Sequence, residues 1–233
     1  MILITVVIAA VVAAWLLLTF VHARRQKITL RQALLYAPLA LIWRIDAGAL
    51  SKTAADDGPL LYVVSHQSRL DPALMLCLLP ENTLHILDDH AASSPWLEPW
   101  RDLARTIAFN PEHVFVSRRL VRVLRGRGRL CVYLAADMDP ASRAFRLYRA
   151  VARIALRAEA KVVPIRVDGA EKLTSSFVDE AKTSQPFARL TIRTLAPATL
   201  LELRQRNPEI TTNSSALFAR MEELRQRPPG PND

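Results

Sequence analysis

This chain has little of what staples or metallates a small fold. Its 233 residues include two cysteines, Cys77 and Cys131, each inside an apolar run. They read as small core residues in a reducing compartment, not as a disulfide framework. No set of Cys and His carries metal-ligand spacing, so neither a metal nor another cofactor is expected. Aromatic residues are sparse, and no aromatic RNA-binding motif, helix-turn-helix pattern or zinc spacing occurs, which argues against a nucleic-acid partner. No internal repeat is present. Acidic residues are outnumbered: 22 Asp and Glu face 31 Lys and Arg, 26 of them Arg, for a net charge of +9. The densest cluster is Arg118, Arg119, Arg122, Arg125, Arg127 and Arg129. Such charge suits anionic lipid or an acidic protein, and a membrane anchor favours the lipid.

The first apolar run also lacks something. Ile2 to Val21 are twenty consecutive residues without a charge, and no Lys or Arg precedes them. The run is long enough to cross a hydrocarbon core of roughly 30 Å. A cleaved signal peptide is the competing reading, but it would carry a basic leader and a shorter apolar core. The cluster Arg24-Arg25-Gln26-Lys27 follows the run. A single-pass anchor with the remainder of the chain in the cytoplasm is therefore expected.

Ile28 to Ile45 is apolar but interrupted by Arg31, Gln32, Pro38 and Arg44. It fits an interfacial helix with Tyr36 and Trp43 at the headgroup level, or equally a helix packed on the following domain. The expected organisation is an anchor over 1–22, this helix over 23–45, one α/β domain over 46–212, and a C-terminal helix with a disordered tail over 213–233. Strand-like segments at Leu60–Val64, Leu84–Leu87, Thr106–Phe109, Leu130–Leu134, Val162–Val167 and Leu190–Leu195 alternate with helical ones. The helical segments are Pro72–Leu79, Trp96–Ala104, Asn110–Arg125, Ala141–Ala158 and Ser214–Arg227. This alternation predicts an α/β fold with a mainly parallel sheet flanked by helices.

The first strand ends in chemistry. Leu60-Leu61-Tyr62-Val63-Val64 is a buried-strand run, and it leads directly into Ser65-His66-Gln67-Ser68-Arg69-Leu70-Asp71. A histidine leaving the carboxyl end of a strand sits where open α/β sheets place ligands. An aspartate five residues on can reach back, fix one tautomer of the ring and stabilise its protonated form. The alternative is a strand-end histidine and an N-cap aspartate before Pro72.

These residues resemble the glycerolipid acyltransferase superfamily, the 1-acylglycerol-3-phosphate acyltransferases and their relatives. The resemblance is closest to the branch that includes the acyltransferase domain of 2-acylglycerophosphoethanolamine acyltransferase. His66-Gln67-Ser68-Arg69-Leu70-Asp71 matches the family's first motif, His-x4-Asp. Ile107-Ala108-Phe109-Asn110-Pro111, the helix before Gly126 and Gly128, and Val162-Val163-Pro164-Ile165 match later segments in order. The resemblance implies His66 as general base, Asp71 as the residue that orients it, and Ser68 and Arg69 beside the substrate. It also implies a fatty acyl thioester on acyl carrier protein or coenzyme A as co-substrate, and membrane lipids as partners.

One departure stands out. Where the family has Phe-Pro-Glu-Gly, this chain has Tyr133-Leu134-Ala135-Ala136. In the family this motif helps bind the acceptor's glycerol or phosphate part. Ala135 has no side-chain hydrogen-bonding group. Asp137 is the candidate to take over substrate binding if the loop is displaced, with Asp139 a second choice; the alternative reading makes both turn residues before Pro140. The expected activity is transfer of an acyl group to a lysolipid hydroxyl. The alternatives are a catalytically degenerate lipid- or partner-binding relative, and an acyltransferase for a non-glycerophosphate acceptor.

Overall fold

The apolar run at Leu60 extends as β1, Leu60–His66. Leu60, Tyr62 and Val64 join one core cluster, and Leu61 and Val63 join another. Burial on both faces explains why the run is continuously apolar instead of alternating. The computed structural model describes the whole chain except residues 1, 54–57, 88–96, 102, 104, 109–113, 136–138, 140–141, 143–144, 174–175, 177–184, 186 and 229–233.

The helices are α1 (Ile2–Gln26), α2 (Leu30–Trp43), α3 (Gly48–Thr53), α4 (Leu70–Leu78), α5 (Glu98–Arg101), α6 (Val114–Arg125), α7 (Arg146–Arg157), α8 (Leu200–Arg206) and α9 (Asn213–Gln226). The other strands are β2 (Thr83–Leu87), β3 (Arg105–Ala108), β4 (Arg129–Ala135), β5 (Lys161–Asp168), β6 (Thr191–Thr194) and β7 (Ala198–Thr199). The sheet order is β3-β2-β4-β1-β5-β6, with β7 also paired to β5. The pairs from β3 across to β5 are parallel, whereas β6 and β7 run antiparallel to β5. The α/β fold with a mainly parallel sheet is thus as expected, and the antiparallel edge is an addition to it.

Two helical layers cover the sheet. Residues of α2 and α4 pack on one face with Tyr62, Val64 and Ile165. Residues of α6, α7, α8 and α9 pack on the other with Leu61, Val63 and Val132. Helix α9 buries Ala216, Leu217, Met221 and Leu224 there, so it belongs to the core of the α/β unit. Cys77 and Cys131 are free and buried, as read from their apolar surroundings.

Helix α1 is long and apolar enough to cross a membrane, and its apolar side chains face outward, with Ile4 and Leu17 each 65% exposed. Helix α2 has two characters. Thr29 and Gln32 form a capping box at its start. Gln32 Nε2 also donates to the Leu76 and Leu79 carbonyls, at 3.1 and 2.6 Å, satisfying groups at the end of α4. Ala33, Tyr36, Ala37 and Leu39 are buried, while Leu30, Leu34, Leu41 and Ile42 are exposed. Tyr36 is fully buried, which corrects its assignment as a headgroup-level residue: it lies on the helix face that packs on the domain. Just beyond α2, Leu190 N–H donates to Trp43 O, Asp46 N–H to Leu190 O, and Ile192 N–H to Asp46 O, which ties the helix end to the β6 edge.

Candidate active site

His66 is the last residue of β1, at the carboxyl edge of the sheet. The chain then makes a tight turn over residues 67–69 into α4. Ser68 Oγ accepts from Leu70 N–H at 3.1 Å, and Ser68 O accepts from Asp71 N–H at 3.2 Å. Asp71 is therefore not the N-cap. It occupies the first turn of α4, and its carboxylate folds back over the loop that precedes the helix.

Asp71 is completely buried. Its Oδ2 accepts from Gln67 N–H at 2.7 Å and Ser68 N–H at 2.8 Å, and lies 3.3 Å from His66 Nδ1. One oxygen thus closes the turn and holds the imidazole. The other oxygen, Oδ1, is buried without a hydrogen-bond partner. Because Nδ1–H points at the carboxylate, the basic lone pair is on Nε2. His66 itself is 23% exposed at its side chain, so the ring reaches solvent while its orienting group does not. Gln67 adds a tie to the neighbouring strand. With its amide turned so that both atoms are paired, it donates to Val167 O at 3.2 Å and accepts from the Arg166 guanidinium at 3.1 Å.

The remaining sequence candidates separate by position. Ser68 is fully buried, its hydroxyl oxygen engaged by Leu70 N–H, which suits a turn residue and not a nucleophile. Arg69 is exposed beside the turn. Asp137 lies outside the described residues. Asp139 is exposed, and its carbonyl accepts from Ser142 N–H. Ala135 is the register partner of His66 on β4 and is exposed. The Ala135 methyl group therefore takes the position beside His66 on the neighbouring strand.

Two residues to which the sequence reading gave no role complete the surroundings. The Tyr133 ring meets His66 edge-on, with centroids 5.7 Å apart and planes at 65°. Its hydroxyl is hydrogen-bonded to His85 Nδ1 at 2.9 Å. Burial pushes the His85 imidazole down to about 3 and the Tyr133 phenol well above its ordinary value, so this is a contact between two neutral groups. The available signal was a lone histidine within the apolar strand Thr83–Leu87, a pattern that fits a satisfied core residue equally well.

The buried His85 makes stability depend on pH. Its folded pKa lies below the unfolded value, so between pH 6.5 and about 3 the unfolded chain binds a proton that the folded chain refuses. Stability from this group is complete above pH 6.5 and falls as the pH drops. Acidification from pH 7 to 4 should cost about 3 kcal/mol through His85. Urea unfolding of wild type and His85→Gln across that range should give a flatter profile for the variant, and parallel profiles would refute the assignment.

Two comparisons bear on this geometry. The acyltransferase family model matches residues 49–168, just over half of the chain, and the matched stretch contains His66, Asp71, Tyr133 and Ala135. Among solved structures, the chain resembles the 1-acyl-sn-glycerophosphate acyltransferase PlsC from Thermotoga maritima, with a TM-score of 0.55 and 14% sequence identity. The likeness covers 94% of this chain and 98% of that one, and at this identity it speaks to the fold. With the matched segment spanning the His-x4-Asp turn, the chain belongs to the acyltransferase family.

Proposed function

We propose that this acyltransferase moves a fatty acyl group from a thioester donor to a hydroxyl of a lysolipid, with His66 as general base. The observation that carries this reading is the single buried oxygen of Asp71 shared by His66 Nδ1 and two backbone amides. It fixes the ring's tautomer and compensates the imidazolium that forms during reaction. His66 Nε2 takes the proton as the acceptor oxygen attacks the thioester carbonyl. The tetrahedral intermediate collapses with cleavage of the carbon–sulfur bond, and the departing thiolate recovers the proton from His66. No acyl-enzyme is required, and the buried, engaged Ser68 hydroxyl agrees with that.

The donor is a carrier-protein or coenzyme A thioester, and the acceptor is a lipid of the surrounding membrane. Helix α1 serves as the anchor, and Arg24, Arg25 and Lys27 at its end favour a cytoplasmic domain. The exposed Leu30, Leu34 and Leu41 of α2 suit immersion at the headgroup boundary.

A second reading concerns the acceptor. PlsC is a 1-acyl-sn-glycerophosphate acyltransferase, yet here the side chain beside His66 is a methyl group at Ala135. This favours an acceptor that does not rely on a carboxylate at that position. The test is transfer assayed with membranes containing the protein, both donor types, and lysolipids that carry or lack a glycerophosphate. Ala135→Glu combined with Ala136→Gly should shift preference toward glycerophosphate acceptors by about tenfold, the value of one charge-assisted hydrogen bond. Unchanged preference would remove Ala135 from acceptor selection. No transfer by the wild type to any acceptor would favour the binding-protein alternative.

A further inference from the structure

The net charge of this protein is confined to one part of the fold. Residues 114–157 contain 11 arginines, no lysine and two acids, Asp137 and Asp139. The rest of the chain contains 20 basic and 20 acidic residues, so the whole excess of +9 belongs to the segment running from α6 through β4 to α7. On α7, Arg146, Arg149, Arg153 and Arg157 recur at intervals of three and four and are all exposed, which puts them on one stripe of the helix. Tyr148, Val151, Ile154 and Ala155 form the opposite, buried stripe. On α6, Arg118, Arg119, Arg122 and Arg125 are exposed, while Leu120 and Leu124 are buried. The Arg125 guanidinium donates twice to the Arg157 carbonyl, at 2.9 and 3.1 Å, so the two stripes lie side by side. Among the described residues no carboxylate pairs with the exposed arginines of these helices.

With α2 at the headgroup boundary, as proposed above, this surface points away from the lipid. Helices α6 and α7 cover one face of the sheet, whereas α2, which continues from α1, covers the other. A flat bilayer lying against the outer side of α2 does not also reach the outer side of α6 and α7. The arginine surface nevertheless borders the site. Strand β4 ends beside His66, and the Tyr148 hydroxyl in the first turn of α7 donates to the Ala135 carbonyl at 3.4 Å, so the start of α7 lies toward the reacting edge of the sheet.

We infer that the arginine stripes of α6 and α7 are the docking surface for an acidic protein that carries the acyl thioester, held by charge complementarity on the side of the domain away from the membrane. The inference rests on the thioester-donor reading above and adds to it the source of the donor and the surface that receives it. Long-range attraction of this kind speeds encounter and weakens with salt, because exposed charges are screened over about 8–10 Å at ordinary ionic strength.

The test compares one variant, Arg118→Glu/Arg119→Glu/Arg146→Glu, with the wild type in the same membranes. Binding of acyl-free acyl carrier protein is measured at low and high salt, and transfer is measured with acyl carrier protein and acyl coenzyme A donors. The expected result is salt-sensitive carrier binding by the wild type. In the variant, carrier binding should be lost and carrier-dependent transfer at sub-saturating donor reduced at least tenfold, while transfer from the coenzyme A thioester stays within twofold. The Arg→Gln triple should give an intermediate loss, which keeps the test valid if charge reversal impairs folding. Equal loss with both donors, no loss with either, or displacement of bound carrier by anionic vesicles would overturn the inference. Carrier binding needs no catalysis, so a wild type that binds the carrier but transfers from neither donor would refute the catalytic reading and leave the docking surface standing.

Discussion

Replacing His66 with alanine should reduce acyl transfer by about 10²–10⁴-fold, the usual contribution of a positioned general base, and should leave the protein folded. The two halves of this result have separate causes. The imidazole lies at the end of β1 with its side chain 23% exposed, so its removal opens no core cavity. Asp71 keeps its two backbone donors, Gln67 N–H and Ser68 N–H, and the turn keeps its shape. The measurement is kcat for each donor at matched protein levels, with thermal unfolding alongside. Activity within tenfold of wild type would exclude His66 as the base.

Substitution of Asp71 should have the larger combined effect, because this residue serves fold and chemistry through one atom. Asp71→Ala leaves the Gln67 and Ser68 amides without their acceptor in a fully buried setting. At about 1–3 kcal/mol for each unsatisfied group, the loss of stability should be roughly 2–6 kcal/mol. Transfer should fall as far as in His66→Ala, and the double variant should be no slower than either single one, since the two residues act as a unit. Asp71→Asn separates the roles. The amide oxygen can occupy the Oδ2 position and accept the same three bonds, with the NH2 at the position where Oδ1 has no donor. The buried NH2 has no acceptor there, so stability should fall by about 1–3 kcal/mol, less than in Asp71→Ala. The neutral amide does not stabilise an imidazolium, so kcat should still fall by about 10². Full activity in Asp71→Asn would mean that the carboxylate charge plays no part in the reaction.

The contrast between these variants also explains what was legible in the sequence. The buried strands were readable because long apolar runs flanked by turn residues leave few alternatives: the Leu60, Leu130 and Val162 runs became β1, β4 and β5 within two residues at each end. His66 and Asp71 were readable because a strand end and a helix start bracket them. The role of Ser68 as a closed turn acceptor depends on geometry that residue spacing does not express. The contact between Tyr133 and His85 was not readable for a related reason: they are 48 residues apart, and only the β2–β4 pairing brings their strands side by side. Short elements were lost too. Helix α8 carries a capping box from Thr199 to Glu202, a readable signal overlooked because its apolar pattern spans barely two turns. The strand read at Leu190–Leu195 forms as β6, but its antiparallel direction was not readable, since direction is set by connectivity and not by the strand residues themselves, and the two-residue β7 was not read as a strand at all.

The attachment of α2 has a mechanical consequence. The helix is fastened at its start by Gln32 to the end of α4, and at its end by the Trp43–Asp46 ladder to β6. What separates it from α1 is the turn over residues 27–29, closed by a bond from Ile28 N–H to Ala23 O, with Lys27 at φ 54°. The α/β unit therefore has no swivel of its own between α2 and the sheet. With α1 as the proposed anchor, its heading and working height are inherited from the first helix across three residues, so an insertion in that turn should re-aim His66 as a whole, whereas one after α9 should leave its aim untouched.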